Sequence, residues 1–268
     1  MRDTYGNNGS ESNIRNHGGR KSSFESLKVF DNCGIKAISI SAAIERNGHL
    51  LIVEQVDAGA AISKRRLNVL NELYSLGGVT IVVYTGPLNN GRFGPGTVEV
   101  YCEGGQVVRG AANEERLVKL AGDWFAVADK GAYVKGRQPK VIERETSDVD
   151  GEIAPFIEYS PFNKVFRAKF SFTDIDLAAA CNGKVLFVEF KKRDAEKQAG
   201  QEILYKQLSA RGGVQYINYY GNPTANGGLA AGRSEVTIDG KLFASGKCDQ
   251  DILIGDICDF VHRAKEGE

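Results

Sequence analysis

In the second half of the chain, apolar and polar residues alternate in short runs that end at turn signals. Phe170 to Ala180 alternates with the period of two that predicts a strand with one buried face. Asn182-Gly183 follows, a strong two-residue hairpin signal, and Lys184 to Phe190 predicts a second, largely apolar strand. A helix is predicted from about Asp194 to Arg211, with Asp194 as N-cap and Gly212 as the C-terminal stop. Val214 to Tyr220 predicts a further strand with at least one buried face. A hairpin, a helix and a strand in that order predict an α/β fold, a mixed central sheet flanked by helices.

The same succession occurs twice. Shifted by 135 positions, Ile40 to Gly86 aligns without a gap on Ile175 to Gly221, and 14 of the 47 aligned residues are identical. The identities include Asn47/Asn182, Gly48/Gly183, Glu54/Glu189, Gly77-Gly78/Gly212-Gly213, Tyr84/Tyr219 and Gly86/Gly221. Each copy continues with a Gly/Asn/Pro-rich loop (Pro87 to Gly96, Asn222 to Gly232), then a short strand, a Gly-containing turn, a second strand and a final helix. The pattern predicts two tandem copies of one fold, related by a pseudo-twofold: 24–135 and 156–268. A mobile tail (1–23) precedes them, and a polar, charged linker (136–155) joins them.

Composition narrows the function. The chain of 268 residues is 42% hydrophobic and 25% charged, which suffices for a globular core. Lys plus Arg is 34 and Asp plus Glu is 34, so a protein that coats nucleic acid by bulk charge is disfavoured while a local basic groove is not. The five cysteines form no C-x-x-C pair. They are expected to be reduced residues of a cytoplasmic protein, with no zinc site. No apolar run approaches the roughly 20 residues of a membrane helix, and no signal-peptide core is evident near residue 1. His17, His49 and His262 lack metal-ligand spacing. The glycine-rich loops lack G-x-x-x-x-G-K-[ST], so a nucleotide-driven motor is not expected. Trp124-Phe125 is expected to pack rather than to stack on bases.

The second copy carries the candidate chemistry. Glu189 and Lys191 lie two apart on one strand and share a face. Asp176 precedes the Asn182-Gly183 turn by six residues and Glu189 follows it by six, so the hairpin sets them opposite each other. Two neighbouring carboxylates are hard oxygen ligands for Mg²⁺. A metal there could hold a phosphate oxygen and acidify a water, with Lys191 orienting that water or stabilising charge on the phosphate. Thr173-Asp-Ile-Asp-Leu-Ala178 and Val188-Glu-Phe-Lys191 resemble the motif of the PD-(D/E)XK nuclease superfamily, with Ile175 in place of the motif's proline. Gln201-x-x-x-Tyr205 resembles the Q-x-x-x-Y motif of its RecB-type members. The two residues are four apart and share a helix face.

The resemblance, covering roughly Phe156 to Tyr220, implies restriction-endonuclease-like domains. It implies Mg²⁺ (or Mn²⁺) held by Asp176 and Glu189, a catalytic Lys191, and Gln201 and Tyr205 at the border of the site. It also implies a DNA substrate. Glu158, and less so Glu152, are candidates for the superfamily's upstream helical acid. Asp174 is either an accessory acid or an edge charge. Lys192, Arg193 and Lys197 either meet phosphates or begin a solvated helix.

In the first copy, Ser39, Ser41, Val56, Arg66 and Leu70 stand at the positions of Asp174, Asp176, Lys191, Gln201 and Tyr205, and Glu54 alone survives. That copy is expected to be inactive. It would serve as a partner surface like the second subunit of a dimer, or bind nucleic acid through Lys64, Arg65 and Arg66. The alternative for the whole chain, which could also form homodimers, is a non-catalytic nucleic-acid-binding or interaction protein on a degenerate nuclease fold.

Overall fold

The computed structural model describes residues 33, 35, 37–132, 142–144, 146–147, 157–166, 172–191, 193, 199–221 and 229–267. The expected tail (1–23), Glu152, Asp194 and Lys197 lie outside them, as do Lys192 and the side chain of Asp174.

The predicted hairpins form where the Asn-Gly pairs sit. Strands β1 (Ile38–Arg46) and β2 (His49–Val56) turn at Asn47-Gly48, with φ of 50° and 84°. In the second half, β10 (Thr173–Cys181) and β11 (Lys184–Lys191) turn at Asn182-Gly183, with φ of 46° and 79°. Positive φ at both central residues matches the twist of paired strands, and Asn and Gly tolerate it. Between β2 and the first helix lies the two-residue β3 (Ile62–Ser63). Helix α1 (Lys64–Ser75) is capped by Ser63, whose Oγ accepts from Arg66 N at 3.1 Å. It leads through Gly77-Gly78 into β4 (Val79–Thr85).

The loop predicted at Pro87 to Gly96 contains a small hairpin, β5 (Leu88–Asn89) and β6 (Arg92–Phe93). Asn90-Gly91 closes it, with φ of 52° and 81°. Strands β7 (Gly96–Tyr101) and β8 (Val107–Ala112) and helix α2 (Glu114–Ala128) complete the first half. A two-residue strand β9 (Thr146–Ser147), from the expected linker, pairs with β3. Ile142, also from that segment, is buried in the core, and its backbone N and O both bond to Asn71 at 3.1 and 3.0 Å. After a 3-10 turn at Phe162–Lys164 and the hairpin β10–β11 come α3 (Ala199–Ser209), β12 (Val214–Tyr220), β13 (Gly232–Ile238), β14 (Lys241–Cys248) and α4 (Gln250–Glu266).

The fold is α/β: one large mixed sheet flanked by four helices. Its ten strands run β14-β13-β12-β11-β10-β1-β2-β4-β7-β8. The pairs β2–β4 and β11–β12 are parallel and the others antiparallel. The halves meet edge to edge at β1 and β10, with Ile38 opposite Ala178, Ile40 opposite Ile175 and Ala43 opposite Thr173. Helices α1 and α3 cover the middle of one face over a shared core, which takes Val69, Leu70 and Leu73 from α1 and Leu204, Tyr205 and Leu208 from α3. Each crosses onto the other half: α1 packs on β10 and β11 as well as β4, and α3 on β1 as well as β12. The opposite face carries two separate cores. One lies under α2 (Leu117, Ala121, Phe125) and is filled by Phe162, Phe166 and Phe172. The other lies under α4 (Leu253, Ile257, Phe260, Val261).

Two repeated signals have one structural cause. Gly86 and Gly221 donate their backbone N–H to Val56 O and Lys191 O, at 3.0 and 2.9 Å. A Cβ on either would lie 2.3 Å from Tyr84 Oη or 2.6 Å from the Tyr219 ring. The two tyrosines fill the room the glycines leave, and their hydroxyls donate to Gly94 O (2.7 Å) and to Ala230 O.

The cysteine expectation is corrected. Cys33 and Cys258 form a disulfide, with Cα atoms 5.1 Å apart. Helix α4 brings Cys258 against the chain that leads into β1, a contact between residues 225 apart that spacing does not encode. Cys102, Cys181 and Cys248 are free thiols. Among the described residues, no helix is long and apolar enough to cross a membrane.

Candidate active site

The five side chains expected at the site come together under α3. The β10–β11 register sets Leu177 opposite Val188, so Asp176 faces Glu189 one step further along. Val185 and Phe187 belong to the core beneath α1 and α3. By the period of two, Glu189 and Lys191 point to that side as well. Helix α3 crosses above them and lowers Gln201 and Tyr205, one turn apart, onto the same spot.

Glu189 is the hub. Its Oε2 accepts from Lys191 Nζ at 3.0 Å and from Gln201 Nε2 at 3.0 Å. Its Oε1 accepts from the Tyr205 hydroxyl and from Asp176 N, the latter at 3.2 Å. Lys191 Nζ donates in addition to Gln201 Oε1. Asp176 Oδ2 accepts from Phe190 N at 2.8 Å, which ties it to the strand that carries Glu189 and Lys191. Burial pushes the Tyr205 phenol well above its usual pKa, and the Glu189 charge pushes it further. Tyr205 therefore stays a donor. It stacks on Tyr216 with ring centroids 4.0 Å apart, and burial and the Glu189 charge raise the Tyr216 phenol as well.

Asp176 and Glu189 offer hard oxygen atoms from adjacent strands, a donor chemistry that fits a divalent cation such as Mg²⁺. The formal charges of Asp176, Glu189 and Lys191 sum to −1. Among the described residues, no group of three or more His, Cys, Asp or Glu side chains gathers as a metal cage. The cluster is closed: exposure is 8% for Asp176, 1% for Glu189, 5% for Lys191, 4% for Gln201 and 2% for Tyr205.

Of the two candidates for the upstream acid, only Glu158 is among the described residues, and it is not in a helix. Glu158 lies in an irregular segment, donates its backbone N–H to Gly91 O at 3.0 Å and accepts from Ser160 N at 2.9 Å through Oε1. Arg193 is exposed, and Phe125 packs in the core under α2 as expected, with Trp124 against that core.

At the equivalent place in the first half, Glu54 is fully buried and Arg66 Nη1 lies 2.7 Å from its Oε2. The same nitrogen donates to Ser39 O at 2.9 Å. This corrects the expectation that Arg66 meets nucleic acid with Lys64 and Arg65. A run of three basic residues looks like a solvated face, but the helix phase turns its third member inward. The pairing of Arg66 with Glu54 was the feature sequence reasoning missed. The signal was available: Arg66 aligns with Gln201, which reaches Glu189. The chain matches none of the protein-family models, curated proteins or solved structures with which it was compared.

Proposed function

We propose that the chain is a divalent-metal-dependent nuclease that hydrolyses phosphodiester bonds in DNA, with one active site per chain at Asp176, Glu189 and Lys191. The observation that carries this reading is the convergence of Lys191, Gln201 and Tyr205 on Glu189, with Asp176 on the adjoining strand. Asp176 and Glu189 would hold Mg²⁺ or Mn²⁺, which when bound would supply Lewis acidity and an acidified water. Lys191 would orient the attacking water and stabilise the charge building on the phosphate. Gln201, bonded to both Glu189 and Lys191, fixes their spacing, and Tyr205 holds the far oxygen of Glu189.

The two halves are read as tandem restriction-endonuclease-like domains (24–135 and 156–268) related by a pseudo-twofold. The strand order supports this, since it lists equivalent strands from either end. So does the β1–β10 register, since Ile40 faces Ile175, the residue 135 positions on. The first domain then does within one chain what the second subunit of a dimer would do, and its Glu54–Arg66 pair marks it as the inactive copy.

The depth of the cluster favours a second reading, a structural polar cluster in a non-catalytic nucleic-acid-binding or interaction protein. Incubating linear, circular and branched DNA, and RNA, with the protein and Mg²⁺ or Mn²⁺ separates the two. Cleavage is expected, with a loss of about a hundredfold to a thousandfold in Lys191→Ala. Equal behaviour of wild type and Lys191→Ala on every substrate selects the second reading.

A further inference from the structure

The register extends the candidate site beyond the residues that spacing identified. Lys191 lies beside Tyr220 on β12, Tyr220 opposite Arg233 on β13, and Arg233 opposite Lys247 on β14. All four face the side of the sheet under α1 and α3. Tyr216 belongs to the core on that side, and Tyr220 is four residues further along the strand. Cys248 belongs to the core on the opposite face, so its neighbour Lys247 points away from it. With strands about 4.8 Å apart, the row runs roughly 14 Å from the buried Lys191 to the exposed edge strand.

The row opens as it goes outward. Lys191 and Tyr220 are buried, the Arg233 side chain is 49% exposed and Lys247 is exposed. The Arg233 guanidinium sits 3.6 Å over the Tyr220 ring. Glu235, on the same strand face, holds it at 2.7 Å, so the guanidinium is fixed in place while still presenting surface to solvent. The row also lies at the carboxyl ends of the parallel strands β11 and β12, where open α/β sheets bind ligands.

The first half supplies the control. Its register gives Val56 beside Thr85, Thr85 opposite Thr97 and Thr97 opposite Ala111. Lys, Tyr, Arg and Lys in one half are Val, Thr, Thr and Ala in the other. The strand residues of the row are cationic only in the half that carries the carboxylate–lysine site, although both halves of the sheet are built the same way; in the first half Arg144, from outside the row, donates to Thr85 Oγ1 at 2.9 Å and shares Glu99 with Arg109.

We propose that Arg233 and Lys247, with Tyr220 as the platform for Arg233, form the track that holds the sugar-phosphate backbone of one nucleic-acid strand and leads it to Lys191. The proposal rests on the nuclease reading for its endpoint, and binding tests it separately from cleavage. A short fluorescein-labelled single-stranded DNA is titrated with the full chain in EDTA, with fluorescence anisotropy as the readout, at several salt concentrations. Arg233→Ala/Lys247→Ala is expected to bind roughly tenfold or more weakly, with the log–log salt slope smaller by about 0.7 for each cation removed. Arg233→Lys/Lys247→Arg should retain most of the binding. Arg109→Ala, which removes an exposed cation from edge strand β8, should leave it unchanged. Labelled duplex DNA and RNA, run alongside, report which strand chemistry the track prefers.

The track is overturned if wild type binds none of the probes, if the double alanine variant binds like wild type, or if Arg109→Ala costs as much. Cleavage with unaltered binding in the double variant would remove the track and leave the nuclease standing. Track-dependent binding without cleavage would do the reverse.

Discussion

Glu54 and Glu189 occupy equivalent places on equivalent strands, and the two halves neutralise them differently. Glu54 meets Arg66 from α1, and Arg66 also bonds the Ser39 carbonyl. Glu189 meets Lys191 from its own strand and Gln201 and Tyr205 from α3. An arginine is permanently charged, so the first arrangement is a buried ion pair, made through Arg66 Nη1 and Glu54 Oε2. A lysine is a point charge on a flexible stem, and Gln201 and Tyr205 are neutral, so in the second only the loss of Lys191 takes a full charge away from the glutamate. The same backbone carries both solutions. The difference lies in whether the helix above the strand brings a cation down to the glutamate.

The largest effect is expected from converting one half into the other. Asp176→Ser with Lys191→Val gives the second site the first half's residues at those positions, and metal-dependent cleavage should fall about a thousandfold or more. This double variant also deprives buried Glu189 of its Lys191 partner, a change worth about 3–5 kcal/mol of stability in comparable pairs. Adding Gln201→Arg supplies the first half's cation. The triple variant should recover most of the urea midpoint while staying inactive. If it is no more stable than the double variant, the equivalence of the two sites is wrong.

The reciprocal change is confined to the first half. Arg66→Met removes the partner of Glu54 and should cost about 3–5 kcal/mol, whereas Glu54→Gln with Arg66→Met should cost much less, because no charge is then left buried. Cleavage per folded molecule should not change in either variant. A fall in cleavage in the double variant would show that the first half contributes more than scaffold to the second site.

Much of this comparison could be read before the fold. The Asn-Gly and Gly-Gly pairs marked the turns because few other residues tolerate positive φ. The strand and helix periods then set Asp176, Glu189, Lys191, Gln201 and Tyr205 on facing surfaces. What escaped was set by distant contacts. Nothing local says that β1 and β10 pair and fuse both halves into one sheet. Nor does spacing tell that Cys258 meets Cys33 across the chain. The basic run Lys64-Arg65-Arg66 suggests a nucleic-acid contact, although the helix phase that aligns Arg66 with Gln201 points it inward. The row from Lys191 to Lys247 needs the register of four strands, and its members are far apart in sequence.

A smaller effect sharpens the role of the helix above the site. Tyr205→Phe keeps the stack on Tyr216 and removes only the hydroxyl that donates to Glu189. The cost should be about 1–3 kcal/mol, the range for leaving one buried acceptor without its donor. The equivalent Leu70 makes no such bond, so Leu70→Met should cost less than about 1.5 kcal/mol. Equal costs at the two positions would mean that the Tyr205–Glu189 bond contributes nothing.

The smallest effect should be the same in both halves. Tyr84 and Tyr219 fill the room beside Gly86 and Gly221, and each donates to a loop carbonyl. Tyr84→Phe and Tyr219→Phe should each cost about 1 kcal/mol, measured by urea unfolding, and the two costs should agree. Burial raises the Tyr84 phenol and pushes that of Tyr219 up to about 12. A phenol ionises near pH 10 when unfolded. Between those values the native state keeps a proton that the unfolded state has lost, so stability declines as pH rises above about 10. The stabilisation is fully present below that pH. Each phenylalanine variant should therefore show a shallower alkaline decline than wild type. Unequal slopes would locate a difference between the halves at the loops. Equal slopes would confine it to the glutamates, the residues above them and the row that leads to Lys191.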